Sequence, residues 1–329
     1  MLQSRHLLPA PAIILELETA LVCDRERVAQ ALRVLRLQLQ QIAPNLRGAP
    51  EVLLTYNRRH WSDEAVGTIM DRAIGAHPWP GKLVAAAVPA GSGYYEHKNF
   101  GFSLTQRELI VFLDGDLVPD GGWLQAMLQP FEDFRVSVVV GNTYMDVSSL
   151  YARCVALFWI FEARTEQPQL RRTSRLVSNS VAFRRALFAK CPFPRRDTYR
   201  GQCSELARIL ESKGIALYLS SGAQSCHPAP KGLSGFVERA MFSGHDECVY
   251  CGLEGPVGAG QAFAAFTRDL AAVRKRVARR ASQIGAGGVV TVMACILGFV
   301  FYLLKLIAFL ITIKSPQLVR RTWGARCSH

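Results

Sequence analysis

Short apolar runs alternate with amphipathic stretches along the first half of the chain, and the two periods tell strand from helix. Residues 12–17 form an apolar run, followed by Val28, Leu32, Leu35, Leu39 and Ile42 at helical spacing within 24–42. The same alternation predicts strands at 51–55, 83–88 and 109–113 and a helix at 63–74. Strand and helix taking turns in this way imply parallel pairing in an α/β sheet. Further on, the pattern predicts a strand at 136–140, a helix with one broad apolar face at 149–164 and an arginine-rich loop at 165–175 leading into 176–183. A helix at 204–213 stopped by Gly214, a strand at 215–219 and a Gly/Ser/Pro-rich loop at 222–235 complete the reading.

The pattern then changes. Residues 289–313 form an apolar run of about 25 residues, long enough to cross a bilayer as a tilted helix or to lie within it as a re-entrant or interfacial one. Lys305 is its only charge, within snorkelling reach of the Lys314 end. The whole chain has 329 residues and a formal charge of +13, which calls for an anionic partner. Much of that excess flanks the apolar run, in Arg274, Lys275, Arg276, Arg279 and Arg280 before it and Lys314, Arg320, Arg321 and Arg326 after it. Such flanks suit a membrane surface. Arg274–Arg280 contains no interleaved aromatic residue, which argues against a nucleic-acid partner. The expected organisation is a domain at 1–270, a basic juxtamembrane linker at 271–287, a membrane helix at 288–314 and a basic tail at 315–329. Nine scattered cysteines and no signal-like N-terminus place the larger part in the cytoplasm, at the cytoplasmic membrane. Cys248 and Cys251 form a C-x-x-C preceded by His245, but no second pair completes a zinc set.

Chemistry concentrates where the apolar run 109–113 ends in Asp114-Gly115-Asp116. Side chains two apart on an extended segment share a face, and ligands of open α/β sheets bind beyond strand carboxyl ends. Two hard oxygen donors there suit Mg²⁺ or Mn²⁺ carrying phosphates. A strand-to-turn junction that merely uses aspartate as a turn residue is the alternative.

Four landmarks in order extend this reading: Lys98-Asn99-Phe100-Gly101; Phe112-Leu113-Asp114-Gly115-Asp116 with Pro119 and Trp123; Asn179 to Arg185, with Phe183 and Arg184; and His227 after the strand at 215–219. In this order and spacing the chain resembles family 2 glycosyltransferases of the GT-A fold over residues 12–246. The resemblance implies a Rossmann-like mixed sheet flanked by helices, a nucleotide-diphospho-sugar donor, a divalent metal and an acceptor hydroxyl. By position it implies nucleotide-sugar contacts from Glu18, Asn57, Lys98, Asn99, Asp114 and Arg200. Metal contacts would come from Asp114, Asp116 and His227, and acceptor-side contacts from Asn179, Phe183 and Arg184.

Three departures matter. Glu16-Leu17-Glu18-Thr19 stands where the family has a Pro-x-x-Asn-like turn, and Thr55-Tyr56-Asn57 stands in place of Asp-Asp-Gly-Ser. Gly201-Gln202-Cys203-Ser204-Glu205-Leu206 replaces Gly-Glu-Asp-x-Glu-Leu, so the usual catalytic carboxylate is absent. Glu205, Asp246 and Asp197 are the carboxylates that could take the acceptor proton, and Cys203 would need activation to do so. The expected activity is an inverting, metal-dependent sugar transfer to a lipid-linked or saccharide acceptor in polysaccharide or glycolipid synthesis. A catalytically degenerate, membrane-tethered nucleotide-sugar binder is the alternative that the Gln202-Cys203 pair suggests.

Overall fold

The computed structural model describes residues 7–22, 25–196 and 198–323, and the chain divides into two interleaved units. The first takes residues 1–143, 164–195 and 202–226, and the second takes 144–163, 196–201 and 227–329.

In chain order the strands are β1 Leu8–Pro9, β2 Pro11–Glu16, β3 Leu46–Arg47, β4 Glu51–Tyr56, β5 Lys82–Ala87, β6 Leu109–Asp114, β7 Val118–Pro119, β8 Val138–Met145, β9 Leu170–Thr173, β10 Ser180–Arg184 and β11 Leu217–His227. The helices are α1 Arg25–Ile42, α2 Asp63–Ile74, α3 Tyr94–Ser103, α4 Trp123–Leu128, α5 Leu150–Phe158, α6 Arg185–Lys190, α7 Gln202–Ser212, α8 Gly232–Glu254, α9 Ala259–Gln283, α10 Gly288–Lys314 and α11 Pro316–Trp323.

A nine-stranded mixed sheet forms the first unit's frame, in the order β5-β4-β2-β6-β10-β8-β11-β7 with β9 on β11. β5, β4, β2 and β6 are parallel, while β10 runs antiparallel to both β6 and β8. The chain therefore builds outward from β2 through β4 to β5, then returns to add β6 on the other side of β2. That reversal is a topological switch point, where open sheets bind ligands. Register puts Glu16 directly opposite Asp114 there.

β2 and β6 are buried at every position, which explains why both are unbroken apolar runs. One core, holding Val28, Leu32, Leu35 and Leu39 of α1, covers one face; another, rich in Phe112, Phe183, Phe188 and Phe193, covers the other. Glycine is required at position 101, where a Cβ would come within 2.5 Å of Ile14 Cγ2, so α3 lies directly on the sheet.

The second unit is helical, with a core that unites Phe158 and Trp159, Phe236 of α8, Val273 and Val277 of α9, and Phe301 and Tyr302 of α10. Several sequence expectations change here, among them the loop expected at 165–175, whose residues 170–173 form β9. The helix expected over 149–164 ends at Phe158. The loop expected at 222–235 is the second half of β11 followed by the start of α8. Residues 271–283 of the expected linker belong to α9, with Arg280 Nη1 donating to the carbonyls of Ala156 and Trp159. Lys305 does not snorkel: its Nζ lies 2.6 Å from Asp269 and 2.7 Å from Glu247, with its side chain only 15% exposed.

Candidate functional site

Asp114 ends β6 at the switch point, and its carboxylate is held from two directions. Lys98 Nζ is 2.6 Å from Oδ1, and the Tyr94 hydroxyl lies 2.7 Å from Oδ1 and 2.9 Å from Oδ2. Tyr94 and Lys98 are four apart on α3, hence on one helix face, and the ammonium also sits 4.7 Å from the Tyr94 ring centroid. Ser178 Oγ links the two tyrosines, at 3.1 Å from Tyr94 and 3.3 Å from Tyr95. The Tyr95 hydroxyl in turn accepts the Cys203 backbone N–H at 3.4 Å, at the start of α7. A chain of hydrogen bonds thus runs from Asp114 to the start of α7, where Gln202 and Cys203 lie.

Asp116 follows across Gly115, in a turn that cannot take a side chain: a Cβ on Gly115 would lie 2.6 Å from Glu16 O. Asp116 is fully buried. Its carbonyl accepts Arg27 Nε at 2.6 Å, and the same guanidinium donates to Cys226 O at 2.9 Å.

Two further clusters flank this centre. Glu16 folds its own turn, accepting the N–H groups of Glu18 and Thr19 at 2.9 and 3.2 Å and the Thr19 hydroxyl at 2.5 Å. Glu18, also buried, faces His60 Nδ1 at 3.2 Å and His97 Nε2 at 3.7 Å. Burial, with Lys98 beside it, pushes the His97 imidazole down to about 4, so it is neutral at pH 7. Asn57 organises the turn after β4: its Oδ1 accepts Arg59 N at 3.0 Å, and its carbonyl accepts the N–H groups of His60 and Trp61.

The remaining sequence candidates separate. Asn179 sits beside Asp114, its carbonyl accepting Asp114 N at 2.9 Å and its Oδ1 accepting the Thr143 hydroxyl at 3.2 Å. Phe183 and Arg184 pair with Ile110 and Leu109, four and five residues from the Asp114 end of β6, or roughly 13–17 Å along the strand. Phe183 is core, packed on Phe112, Phe188 and Phe193, and Arg184 is pinned to the carbonyls of Phe131, Asp133 and Val136. Asn99 points elsewhere than Lys98, its amide donating to Phe193 O at 2.9 Å. Glu205 lies in the first turn of α7, partly buried.

In the second unit, Asp246 is buried and accepts the backbone N–H groups of Tyr199 at 3.0 Å and Arg200 at 2.6 Å. Burial pushes its carboxyl up to about 7 against those bonds. It holds the strand of chain carrying Arg200, whose guanidinium lies 5.0 Å from the Tyr199 ring centroid. His227 donates from Nδ1 to Pro228 O at 2.6 Å, so the ring's lone pair is on Nε2, the form a metal ligand needs. Asp197 lies outside the described residues.

Sequence reasoning missed Tyr94, Tyr95, Ser178, His60 and His97. The i, i+4 relation of Tyr94 to Lys98 was the available signal for the first. It shows only once α3 is known to be a helix, and α3 is buried on too many sides for its pattern to reveal it.

Residues 83–191, from β5 to just beyond α6, match the family model described as Glycosyl transferase family 2. A mannosyltransferase from Pyrobaculum calidifontis, solved in complex with GDP-Man and Mn²⁺, is similar in fold with a TM-score of 0.56 at 15% identity, over 93% of this chain and 87% of that one. GalNAc-T7, solved with UDP, GalNAc and Mn²⁺, aligns with a TM-score of 0.44 at 10% identity, over 73% of this chain and 51% of that one. No curated protein matches the chain in sequence. The matched segment contains Lys98, Asp114, Asp116 and Asn179, so the class is that of the glycosyltransferases. Over that matched segment the chain is similar to the family 2 type, and its fold is GT-A-like, as the sequence motifs imply.

Proposed function

We propose that the chain moves a sugar from a nucleotide-diphospho-sugar to an acceptor hydroxyl with a divalent cation, by inversion. The observation that carries this reading is Asp114, fixed by Tyr94 and Lys98 at the switch point with buried Asp116 two residues on. Among the described residues no three His, Cys, Asp or Glu side chains assemble into a metal cage. That donor set fits a cation that arrives with the diphosphate and takes one or two protein carboxylates, as Mg²⁺ and Mn²⁺ do. Asp116 would hold it, and Asp114 would take the ribose or the ion's water shell. Such a cation supplies charge stabilisation to the leaving diphosphate.

The chain's own residues account for the rest. Lys98 is spent on Asp114 and orients that carboxylate, while Glu18 and Asn57 flank the place of the nucleobase. As the bond from sugar carbon to phosphate oxygen breaks, its electron pair leaves with the nucleoside diphosphate. The acceptor oxygen bonds the same carbon from the opposite side and gives its proton to a carboxylate. Glu205 suits that role better than Asp246, whose oxygens are committed to the backbone of Tyr199 and Arg200.

A membrane-associated enzyme facing the cytoplasm, acting on a lipid-linked or saccharide acceptor in polysaccharide or glycolipid synthesis, is supported by α10 and by the thiols. No disulfide joins any of the described cysteines, which suits a cytoplasmic chain. A panel of nucleotide sugars with and without Mn²⁺ tests the proposal on wild type, Asp116→Ala and Glu205→Gln. Metal-dependent release of nucleoside diphosphate should be abolished by Asp116→Ala, and acceptor transfer should fall at least a hundredfold in Glu205→Gln. Metal-dependent donor binding without turnover, in the presence of membrane lipid extract, would favour the degenerate binder that Gln202 and Cys203 suggest. No binding of any donor would overturn both.

A further inference from the structure

α10 has two unlike faces. One faces the second unit: Ala294, Gly298, Phe301, Tyr302, Leu306, Ala308, Phe309 and Thr312 are buried. The contacts run nearly its whole length, from Cys154 on the carbonyl of Val290 to His245 Nδ1 at 3.3 Å from the Thr312 hydroxyl. Gly244 of α8 approaches so closely that a Cβ there would lie 2.1 Å from Lys305 O. The opposite face is an apolar stripe open to solvent, with Val289 75%, Val292 60%, Ile296 57% and Phe299 47% exposed and Val300, Leu303 and Ile307 continuing it.

At about 1.5 Å per residue the helix is some 40 Å long and could cross a bilayer on length alone. Its partners cannot follow it. Crossing would draw into hydrocarbon the Lys305–Asp269–Glu247 ion cluster, Arg276 and Arg280 with their carbonyl and hydroxyl partners, and the exposed Arg268, Arg274 and Lys275 of α9. Only the outer face can enter lipid.

Charge selects the occupant. Between residues 255 and 323 the sequence has ten Lys and Arg and a single acid, Asp269, and that acid is bound to Lys305. A second copy of the chain would bring the same positive charge against the stripe and repel it. Anionic lipid headgroups would neutralise it, with large aliphatic and aromatic side chains below them and Arg274, Lys275, Lys314 and Arg321 at headgroup level.

We infer that the second unit docks in the plane of an anionic bilayer through the exposed stripe of α10, without crossing it. The inference deepens the membrane part of the proposed function and rests on that part alone, not on the transfer chemistry. It is tested with full-length protein added without detergent to vesicles of phosphatidylcholine, or of equal parts phosphatidylcholine and phosphatidylglycerol, followed by flotation. Wild type should float with the anionic vesicles only and be released by alkaline carbonate. The exposed Cys295, read by peptide mass after maleimide labelling, should be shielded on binding by about tenfold or more. Ile296→Glu with Phe299→Glu should lower partitioning on the order of a hundredfold. Both positions are exposed, so the variant should keep its far-UV circular dichroism and its Mn²⁺-dependent nucleotide-sugar hydrolysis.

Retention through carbonate would mean a spanning helix and overturn the inference, as would unchanged binding by the double variant. Failure of wild type to float would also overturn it, and a dimer dissolved by the double variant would name a second copy as occupant. Flotation as expected in a protein that releases no nucleoside diphosphate would leave the docking standing and remove the transfer reading.

Discussion

Lys98 and Asp114 form a pair with side chains 0% and 4% exposed, where desolvation of both charges must be offset by close geometry and extra hydrogen bonds. Tyr94 supplies those bonds to Asp114. Lys98→Met keeps the volume but leaves a buried carboxylate without its cation, which typically costs about 3–5 kcal/mol. Urea denaturation should show that loss, and Lys98→Arg, whose fork is larger than the space, should not restore it. Each partner stood out in the sequence because it lies in a motif of its own, but their pairing did not. The placement of Phe183 and Arg184 was not legible either, since a motif names residues without strand register. Only the pairing of β10 with β6 reveals that they lie at the other end of the strand from Asp114.

At the scale of elements, α5 depends on α9 for its C-terminus. Arg280 donates to the carbonyls of Ala156 and Trp159 at 3.1 and 2.6 Å, and Arg276 donates to Phe158 O at 3.1 Å. These carbonyls have no partner within their own helix, and cations at a helix C-terminus also suit its dipole. Arg280→Met should therefore destabilise the second unit by about 1–3 kcal/mol, with hydrogen exchange rising first in α5. The parallel strands and α1 were readable because each buries one continuous face or run. α8 was hidden because it packs on several sides, burying Phe236, Met241, His245 and Asp246 around its axis, so no single apolar stripe marks it. β11 looked like a short strand and a loop because Ser220, Ser221, Gly222, Gln224 and Ser225 are poor strand formers. Their place is set by the strands on either side, not by propensity.

Across the whole molecule, the two units carry buried titratable groups of opposite sign. His97 in the first is pushed down to about 4 from an ordinary 6.5, so the stability it confers is full above pH 6.5 and lost as pH falls toward 4. Asp246 in the second is pushed up to about 7 from 3.8, so its contribution is full below pH 3.8 and lost as pH rises toward 7. Moving from pH 7 to pH 5 should loosen the first unit and tighten the second. Hydrogen exchange followed separately in the two units would show the divergence, and His97→Asn and Asp246→Asn should each flatten the response of its own unit. The α/β class was legible from the alternation of strand and helix, but the partition into units was not, because each is assembled from three separate stretches of chain. That interleaving governs synthesis. β11 joins the sheet only after residue 226 has been made, with the segments 144–163 and 196–201 of the other unit already behind it. A growing chain must therefore hold a half-built sheet with an open strand edge until then, and no single proteolytic cut can afterwards release either unit whole.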